Sequence, residues 1–318
     1  MSSVNEGAKK NIIEIAGDAT SANLFMPSNG SIINIGGNLT HHATTNYLED
    51  SKIYVAGNTE CCLGGVSGKN NKITVCGSVG KDALTGSENT ELYVGGNIKY
   101  GLGSDCKFCK IMVGGNVDKA LGASKHSQLT VGGNIGSTLA HFSDSCVIDV
   151  VGDVGDGALY LSSDAILNVG GDVGANLQWI RDGKITVGGS VGKNALAVSK
   201  NTELTVAKNA GPCLGESSSD CEIYVGGNAG DNAGKDLMSG EIYIEGDAGK
   251  EVGLDSVGGT IYIGGTAKSV AENCSAVVHQ NYPIGDTPIR AASEIKLDGL
   301  AASVMGQLKI EEIFENYL

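Results

Sequence analysis

Two histidines and two cysteines are the residues of this chain whose types and spacing could bind a metal ion. His41 and Cys61 are 20 residues apart, and so are their neighbours His42 and Cys62. Two imidazoles and two thiolates are a common ligand set for Zn²⁺. Adjacent residues of an extended strand point to opposite faces, however, so the four side chains converge only if the chain bends there. We therefore expect solvated or half-buried side chains, and we keep these four residues as the candidate metal ligands.

Other groups that could do chemistry stand alone. Cys106 and Cys109 form a Cys-x-x-Cys motif without a second pair, which indicates neither a zinc site nor a redox centre. None of the Gly-Lys pairs is followed by the Ser or Thr of a phosphate-binding loop. Carboxylates look scattered, and no nucleophile, base and oxyanion donors converge in the sequence. We predict no catalytic residue and no cofactor bound by this chain.

A sequence repeat determines the elements that position these residues. Glycine recurs every 18–20 residues from Gly17 to Gly265, and Lys208 replaces it at one of the fourteen positions. Val or Ile stands two residues before each position, and Ile or Leu stands four residues before it. Alternation with a period of two is typical of a β-strand, and a repeat of this length is typical of a solenoid.

The repeat also predicts which side chains face inward. The residue between the two aliphatic positions is Thr or Tyr in most repeats, as at Thr130 and Tyr243, so we expect it to face solvent. Aliphatic residues two and six positions after the glycine, such as Val154 and Leu177, should face the core. The glycine is followed by a small polar residue. We interpret the pair as a turn in which glycine supplies a positive φ and Asn or Asp bonds its own backbone.

These patterns predict an all-β protein, a right-handed parallel β-helix of about fourteen coils over residues 11–277. The inward positions are separated by 2, 4 and 4 residues, whereas the left-handed hexapeptide helix needs an aliphatic residue every six. We interpret residues 1–10 as an N-terminal arm and residues 278–318 as an irregular crossing followed by a helical tail. Leu300, Val304 and Leu308 of the tail have helical spacing. We expect the tail either to cap the open edge of the last coil or to dock on a partner.

Composition narrows the class of protein. The net charge is −14, which argues against a nucleic-acid partner. No apolar run is long enough to span a membrane, and Met1–Lys10 lacks the apolar core of a signal peptide. The nine cysteines are an odd number, and we expect free thiols in a reducing compartment. We therefore expect a cytoplasmic protein.

The last coils carry a more specific pattern, a Gly-x-x-Gly-x-x-x-Gly motif in two successive coils. Its glycines are Gly227, Gly230, Gly234, Gly246, Gly249 and Gly253. The pattern resembles the GXGXG family of right-handed β-helices, which includes the C-terminal domain of the glutamate synthase large subunit and the C subunit of formylmethanofuran dehydrogenase. The resemblance is strict over residues 222–265 and looser from residue 11, where Leu84, Ala140 and Leu159 replace the third glycine.

The resemblance implies a function without catalysis in this chain. The β-helix of that family resembles a scaffold, so this chain would be a scaffold subunit or domain of a multi-subunit redox or amidotransferase enzyme. No catalytic residue of the family carries over to a position here. Flavin, iron–sulfur clusters or molybdenum or tungsten cofactors would then belong to partner subunits.

The alternative is a self-assembling structural β-helix that polymerises end to end, similar to bactofilins. Either function needs a contact surface for other subunits or for further copies of this chain. We expect that surface in the outer tyrosine stripes, Tyr54–Tyr93 and Tyr224–Tyr262, because tyrosine combines an apolar ring with a polar tip. The first coil, at Ile13 and Ile15, is the other candidate because its strand edge needs a cover.

Overall fold

The computed structural model describes residues 12–20, 29–40, 48–60, 63 and 68–284. No helix occurs among them, and so none there is long and apolar enough to cross a membrane. The predicted arm at residues 1–10 and residues 285–318 of the predicted crossing and helical tail lie outside the described residues. The strands are β1 (Ile12–Ile15), β2 (Ile32–Ile35), β3 (Lys52–Val55), β4 (Lys72–Val75), β5 (Val79–Ala83), β6 (Glu91–Val94), β7 (Ile98–Leu102), β8 (Lys110–Val113), β9 (Gln128–Val131), β10 (Val147–Val150), β11 (Ile166–Val169), β12 (Lys184–Val187), β13 (Glu203–Val206), β14 (Cys221–Val225), β15 (Gly240–Ile244), β16 (Thr260–Ile263) and β17 (Val277–His279).

Fifteen of these strands form one parallel sheet in which each strand pairs with the next strand of that sheet, and β5 and β7, which lie between them in the chain, pair on a second wall. The predicted parallel β-solenoid is confirmed. The strands of the fourteen repeats are separated by thirteen turns, and β17 adds a fifteenth strand beyond β16. We call each strand of the large sheet, with the chain that follows it up to the next such strand, a rung. At ~4.8 Å a strand, the stack is about 67 Å long.

One continuous core runs along the inside of the stack. The aliphatic residues before each glycine are buried from β2 to β16, and the described residues two and six positions after it are buried as far as Ala248 and Val252, as at Val154 and Leu177. At the N-terminal end Ile13 and Ile15 are only partly buried. Because equivalent residues pair in register, each inward side chain packs on the same kind of side chain in the next rung. The predicted inward positions are confirmed.

The outer face of the sheet is less exposed than predicted. Tyr93 and Met112 pack on each other on this face and are 7% and 5% exposed, and Thr205 is also buried. Neighbouring strands are close enough for long side chains to cover one another. The expectation of a fully solvated outer column is therefore wrong at these three positions, although Thr130 and Tyr243 do remain partly exposed.

The repeated glycine is required for a different reason from the one predicted. None of the column from Gly17 to Gly265 has a positive φ. A Cβ atom on Gly57 would instead lie 2.5 Å from Oδ1 of Asn38 and 2.8 Å from the carbonyl oxygen of Gly37, both in the preceding rung. Real Cβ atoms do not approach that closely. From Gly37 onward the glycines of the column therefore allow successive rungs to stack closely, and the interpretation as a positive-φ turn is wrong.

The polar residue after the glycine does not bond its own backbone either. Its side-chain oxygen accepts a hydrogen bond from the backbone N–H of the equivalent residue in the next rung, as from Asn58 N to Asn38 Oδ1 at 2.8 Å. Where Lys208 replaces the glycine, the bond from Asn209 N to Ser190 Oγ is 3.3 Å, the longest of the set. The bonds form an acceptor ladder that joins Asp18, Asn38, Asn58, Ser78, Asn97, Asn116, Asn134, Asp153, Asp172, Ser190, Asn209, Asn228, Asp247 and Thr266 without a gap.

Candidate functional site

The predicted metal ligands His41, His42, Cys61 and Cys62 lie outside the described residues. Within the described part of the chain, no group of three or more His, Cys, Asp or Glu side chains is arranged to hold a metal ion. The seven cysteines described there are free thiols. The zinc hypothesis therefore stays a prediction about the four residues named from the sequence.

Cys106 and Cys109 have a structural explanation. Both are buried, and their thiols donate to carbonyl oxygens of the preceding rung, Cys106 to Leu84 at 2.7 Å and Cys109 to Ser87 at 3.4 Å. The hydrogen bond with Cys109, together with burial, raises the pKa of Cys106, so Cys106 remains a protonated thiol at neutral pH. An uncharged thiol without solvent access is a poor nucleophile and metal ligand.

A buried serine column, which sequence reasoning missed, explains why Cys106 is placed there. The backbone N–H of Cys106 donates to Ser124 Oγ at 3.3 Å, and Ser124 N donates to Ser143 Oγ at 3.3 Å. These hydroxyls also satisfy buried carbonyls at the corner, as between Ser218 Oγ and Gly215 O at 2.8 Å. Equivalent buried positions hold Ser87, Cys106, Ser124, Ser143, Ser162, Ser199, Ser218 and Ser256.

The Gly-x-x-Gly-x-x-x-Gly motif contains glycines of two kinds. Gly227 and Gly230 have no positive φ, and a Cβ on either would meet the preceding rung, at 2.4 Å from Asn209 Oδ1 and 2.6 Å from Pro212 N respectively. Gly246 and Gly249 meet the preceding rung in the same way. The third glycines have φ values of 68° at Gly234 and 71° at Gly253. The motif is thus explained by close stacking at its first two glycines and by a left-handed backbone at its third.

An acidic groove lies between the large sheet and the corner that precedes each of its strands. It is an open groove of about 720 Å³. In the sheet, Glu203, Glu222 and Glu241 are partners in register on successive strands, so the expectation that carboxylates are scattered is wrong here. Lys184 forms an ion pair with Glu203 at 2.9 Å. The acidic residues lining the groove are Asp164, Asp182, Glu203, Asp220, Glu222 and Glu241.

Beside this groove, four aromatic rings stack on the outer face of the last strands. Centroids of Tyr224 and Tyr243 are 4.8 Å apart, those of Tyr243 and Tyr262 4.6 Å, and those of Tyr262 and His279 5.1 Å. The planes differ by less than 10° in each pair, because in-register pairing fixes one ring above the next. We call these four residues the tyrosine stack. Tyr282 packs against the C-terminal end of the stack, with its ring centroid 4.7 Å from that of Tyr262.

The other predicted stripe, Tyr54–Tyr93, forms no comparable surface. Tyr54 OH lies 3.1 Å from Cys76 Sγ, and Thr74 separates Tyr54 from Tyr93 in the column. Tyr93 is buried beneath Lys72, whose Nζ is 5.3 Å from the ring centroid. Burial and a hydrogen bond to Glu91 raise the pKa of Tyr93 to about 12. Of the two predicted stripes, only the C-terminal one presents a continuous row of rings.

The tyrosine stack predicts a characteristic loss of stability in alkali. Burial raises the pKa of Tyr243, and its 2.6 Å hydrogen bond to Glu241 raises it further. Unfolded tyrosine ionises near pH 10, so the unfolded chain loses this proton first. The stabilisation by protonated Tyr243 is therefore fully present below about pH 10 and declines as the pH rises toward the folded pKa.

Replacing Tyr243 by Phe, which cannot ionise, should make the melting temperature fall less steeply between about pH 9 and 12. Thermal melts of the Tyr243→Phe variant and the parent across that range measure the difference. Tyr100→Phe, at an exposed tyrosine, is the control. If both variants retain the slope of the parent, the neutral Tyr243–Glu241 hydrogen bond does not contribute to stability.

The C-terminal strands thus offer two neighbouring surfaces, the acidic groove and the tyrosine stack. The Tyr column of the sequence indicated the tyrosine stack. The acidic groove was missed, although the sequence contains a signal for it, a Glu directly before the inward Leu or Ile of three successive strands. No family model, curated protein or solved structure matches the chain.

Proposed function

We propose that this chain is a non-catalytic scaffold subunit or domain of a multi-subunit redox or amidotransferase enzyme. The observation that carries the proposal is the tyrosine stack. The four rings are parallel and partly exposed, and strand pairing already holds them in place. A partner can therefore bind this apolar surface with little further entropic cost of ordering the side chains. Tyrosine is enriched at protein interfaces for this combination of apolar ring and polar tip.

The architecture supports the same proposal. Each rung is fixed by pairing to both neighbours, so a partner held at one rung is held at a defined distance from a partner held at another. The Gly-x-x-Gly-x-x-x-Gly motif resembles a family in which the β-helix holds subunits that do the chemistry. In this proposal the flavin, iron–sulfur or molybdenum or tungsten cofactor belongs to a partner subunit.

The test is native co-purification of a tagged chain, with proteins identified by mass spectrometry and cofactors by absorbance. We expect a partner that carries a redox cofactor or a glutaminase site. Tyr243→Ala should reduce its recovery about ten-fold or more, as loss of an interface anchor does. Thr186→Ala, in the same outer column but away from the stack, should leave recovery unchanged. Equal recovery with both variants would remove the tyrosine stack from the proposal.

Self-assembly into filaments is the second candidate function. The observation that favours it is exposed apolar side chains on the first and last of the described strands, with Ile12 61% and Val277 54% exposed. Open strand edges pair readily with other edges. Filaments of the purified chain in electron micrographs, together with no partner in the native preparation, would favour this function over the scaffold.

A further inference from the structure

A row of bulky apolar side chains projects into solvent at one corner of the solenoid. Phe142, Leu161, Trp179 and Val198, which we call the corner stripe, come from four consecutive rungs and are 55%, 41%, 44% and 39% exposed. Single exposed apolar residues are ordinary, but a contiguous row marks a contact surface. In the rungs before and after the stripe, the same corner position holds Gly86, Asp105, Ala123, Ser217, Asp236 and Asp255.

The backbone of the corner stripe does not favour these residues. Their φ values are 58° at Phe142, 56° at Leu161, 61° at Trp179 and 53° at Val198. The left-handed region suits Gly, Asn and Asp, and it is unfavourable for bulky and especially for β-branched residues. Neither burial nor local conformation therefore explains the apolar side chains. Strained backbone at four exposed apolar residues in a row points to a contact outside the single chain.

Two neighbouring rings widen the corner stripe at one end. His141 and Tyr160 stack with centroids 4.7 Å apart, and Phe142 packs edge-on against His141 at 4.4 Å. Backbone N–H groups of the stripe donate to the next rung, as from Trp179 N to Ala197 O at 2.9 Å. The patch is thus rigid in the single chain and needs no ordering before it binds.

The stripe is complementary to itself under a two-fold axis perpendicular to the stack, which reverses the order of the rungs. With the axis between Leu161 and Trp179, Leu161 faces Trp179 of a second copy and Phe142 faces Val198. Each large ring then meets a smaller aliphatic side chain. One rung further out, Ala123 faces Ser217, and both are small enough for the two corners to approach.

Charges beside the stripe agree with the same axis. A column two residues further along the chain contains Lys125, Asp144, Ser163, Arg181 and Lys200 in register. The two-fold axis places Asp144 opposite Lys200 of the second copy, and this contact occurs twice in the dimer. It also places Arg181 opposite Ser163 of the second copy, next to Asp164. Neither Arg181 nor Lys200 is in an ion pair with another described residue. Two rungs outside the stripe Asp105 would face Asp236, so the contact ends after six rungs.

From these observations we propose that this chain forms an antiparallel homodimer through the corner stripe, with the Asp144–Lys200 pairs fixing the register. Six rungs at ~4.8 Å give a contact about 29 Å long. A strip of that length buries roughly 500 Å² on each copy, less than the ~800 Å² of a standard interface. We therefore expect a dissociation constant in the micromolar range. It does not depend on the proposed scaffold function, since it is measured on the purified chain alone.

The first test is sedimentation equilibrium of the full chain across micromolar concentrations. We expect the mass to rise from the 32.4 kDa of one chain to twice that value. Trp179 is the one tryptophan of the chain, so its emission should shift to the blue over the same concentrations. Leu161→Asn, which retains this tryptophan and suits the left-handed backbone, should raise Kd about 30-fold or more. Phe108→Asn, at an exposed residue with φ 54° outside the stripe, should leave Kd within about two-fold.

The second test is a charge exchange that reports on the register. Asp144→Lys and Lys200→Asp should each raise Kd about ten-fold, because each creates like-charge pairs at two symmetric positions. The double variant should return to within about three-fold of the parent. A melt followed by circular dichroism checks that each variant is folded.

Several results would overturn the proposal. One is a chain of 32.4 kDa at several hundred micromolar with solvent-exposed Trp179 emission. A single chain whose Trp179 is already blue-shifted would mean that another segment of the chain, such as residues 285–318, covers the stripe. A dimer insensitive to Leu161→Asn would place the contact elsewhere. A double charge variant that stays weak would exclude the antiparallel register.

Discussion

Val131→Asp is expected to destabilise the solenoid severely. Val131 is fully buried and pairs in register with Val113 and Val150, so the new carboxylate would have only aliphatic neighbours. An isolated buried charge costs several kcal/mol or forces the carboxyl to stay protonated, with its pKa raised. Urea unfolding followed by circular dichroism should show a loss of about 4 kcal/mol or more. Hydrogen exchange should increase first in the rungs around β8, β9 and β10, since each rung is stabilised only by its neighbours.

Thr130→Asp, one residue away, is the matched control. Thr130 is partly exposed on the outer face and pairs with Met112 and Asp149. The new carboxylate stays in water, and its repulsion from Asp149 should cost about 1 kcal/mol or less. Equal losses in the two variants would contradict the assignment of inward and outward positions.

The second large effect is expected at Gly155. A Cβ there would overlap the carbonyl oxygen of Gly136, and the backbone cannot move away because Gly155 N donates to Ile135 O at 2.8 Å. Gly155→Ala should therefore separate two rungs and cost about 3 kcal/mol or more, although alanine normally stabilises a chain relative to glycine. Thermal and urea unfolding measure the change.

Gly122→Ala is the comparison, since the nearest atom to its added Cβ is Ser104 Oγ at 3.8 Å. Its stability should stay within about 0.5 kcal/mol of the parent. If Gly155→Ala is equally harmless, the second glycine of the motif does not limit how closely the rungs approach, and the explanation of glycine by close stacking fails at that position.

The fold could be predicted from the sequence because its information is repeated. Ile33, Leu92 and Ile148 occupy one inward column, and each repeat confirms the alternation read from the others. The glycine of the repeat shows where this reasoning stops. Its position was predicted correctly and its cause was not, because a turn glycine and a stacking glycine look alike in one chain. Only the distance between rungs distinguishes them.

The corner stripe could not be predicted for a different physical reason. Alternation of inward and outward residues holds for extended strands, but the corners contain left-handed residues such as Leu159 and Leu161. Leu159 is fully buried and Leu161 is exposed, although both are Leu at equivalent φ. Both residues recur with the same repeat spacing and are of the same type. Spacing and residue type therefore do not show which corner side chains are exposed to solvent.

The acceptor ladder has a consequence for how this protein can change its length. In every rung the donor is a backbone N–H, which any residue except proline supplies, and the acceptor is the side-chain oxygen of the Asn, Asp or Ser that follows the glycine position in the preceding rung. Duplication or deletion of one whole repeat therefore rejoins a donor to an acceptor, and the molecule becomes one strand spacing longer or shorter. An insertion of a few residues next to the repeated glycine would leave one backbone N–H and one side-chain acceptor of the ladder without a partner. The length of such a chain can therefore change during evolution in steps of one whole repeat.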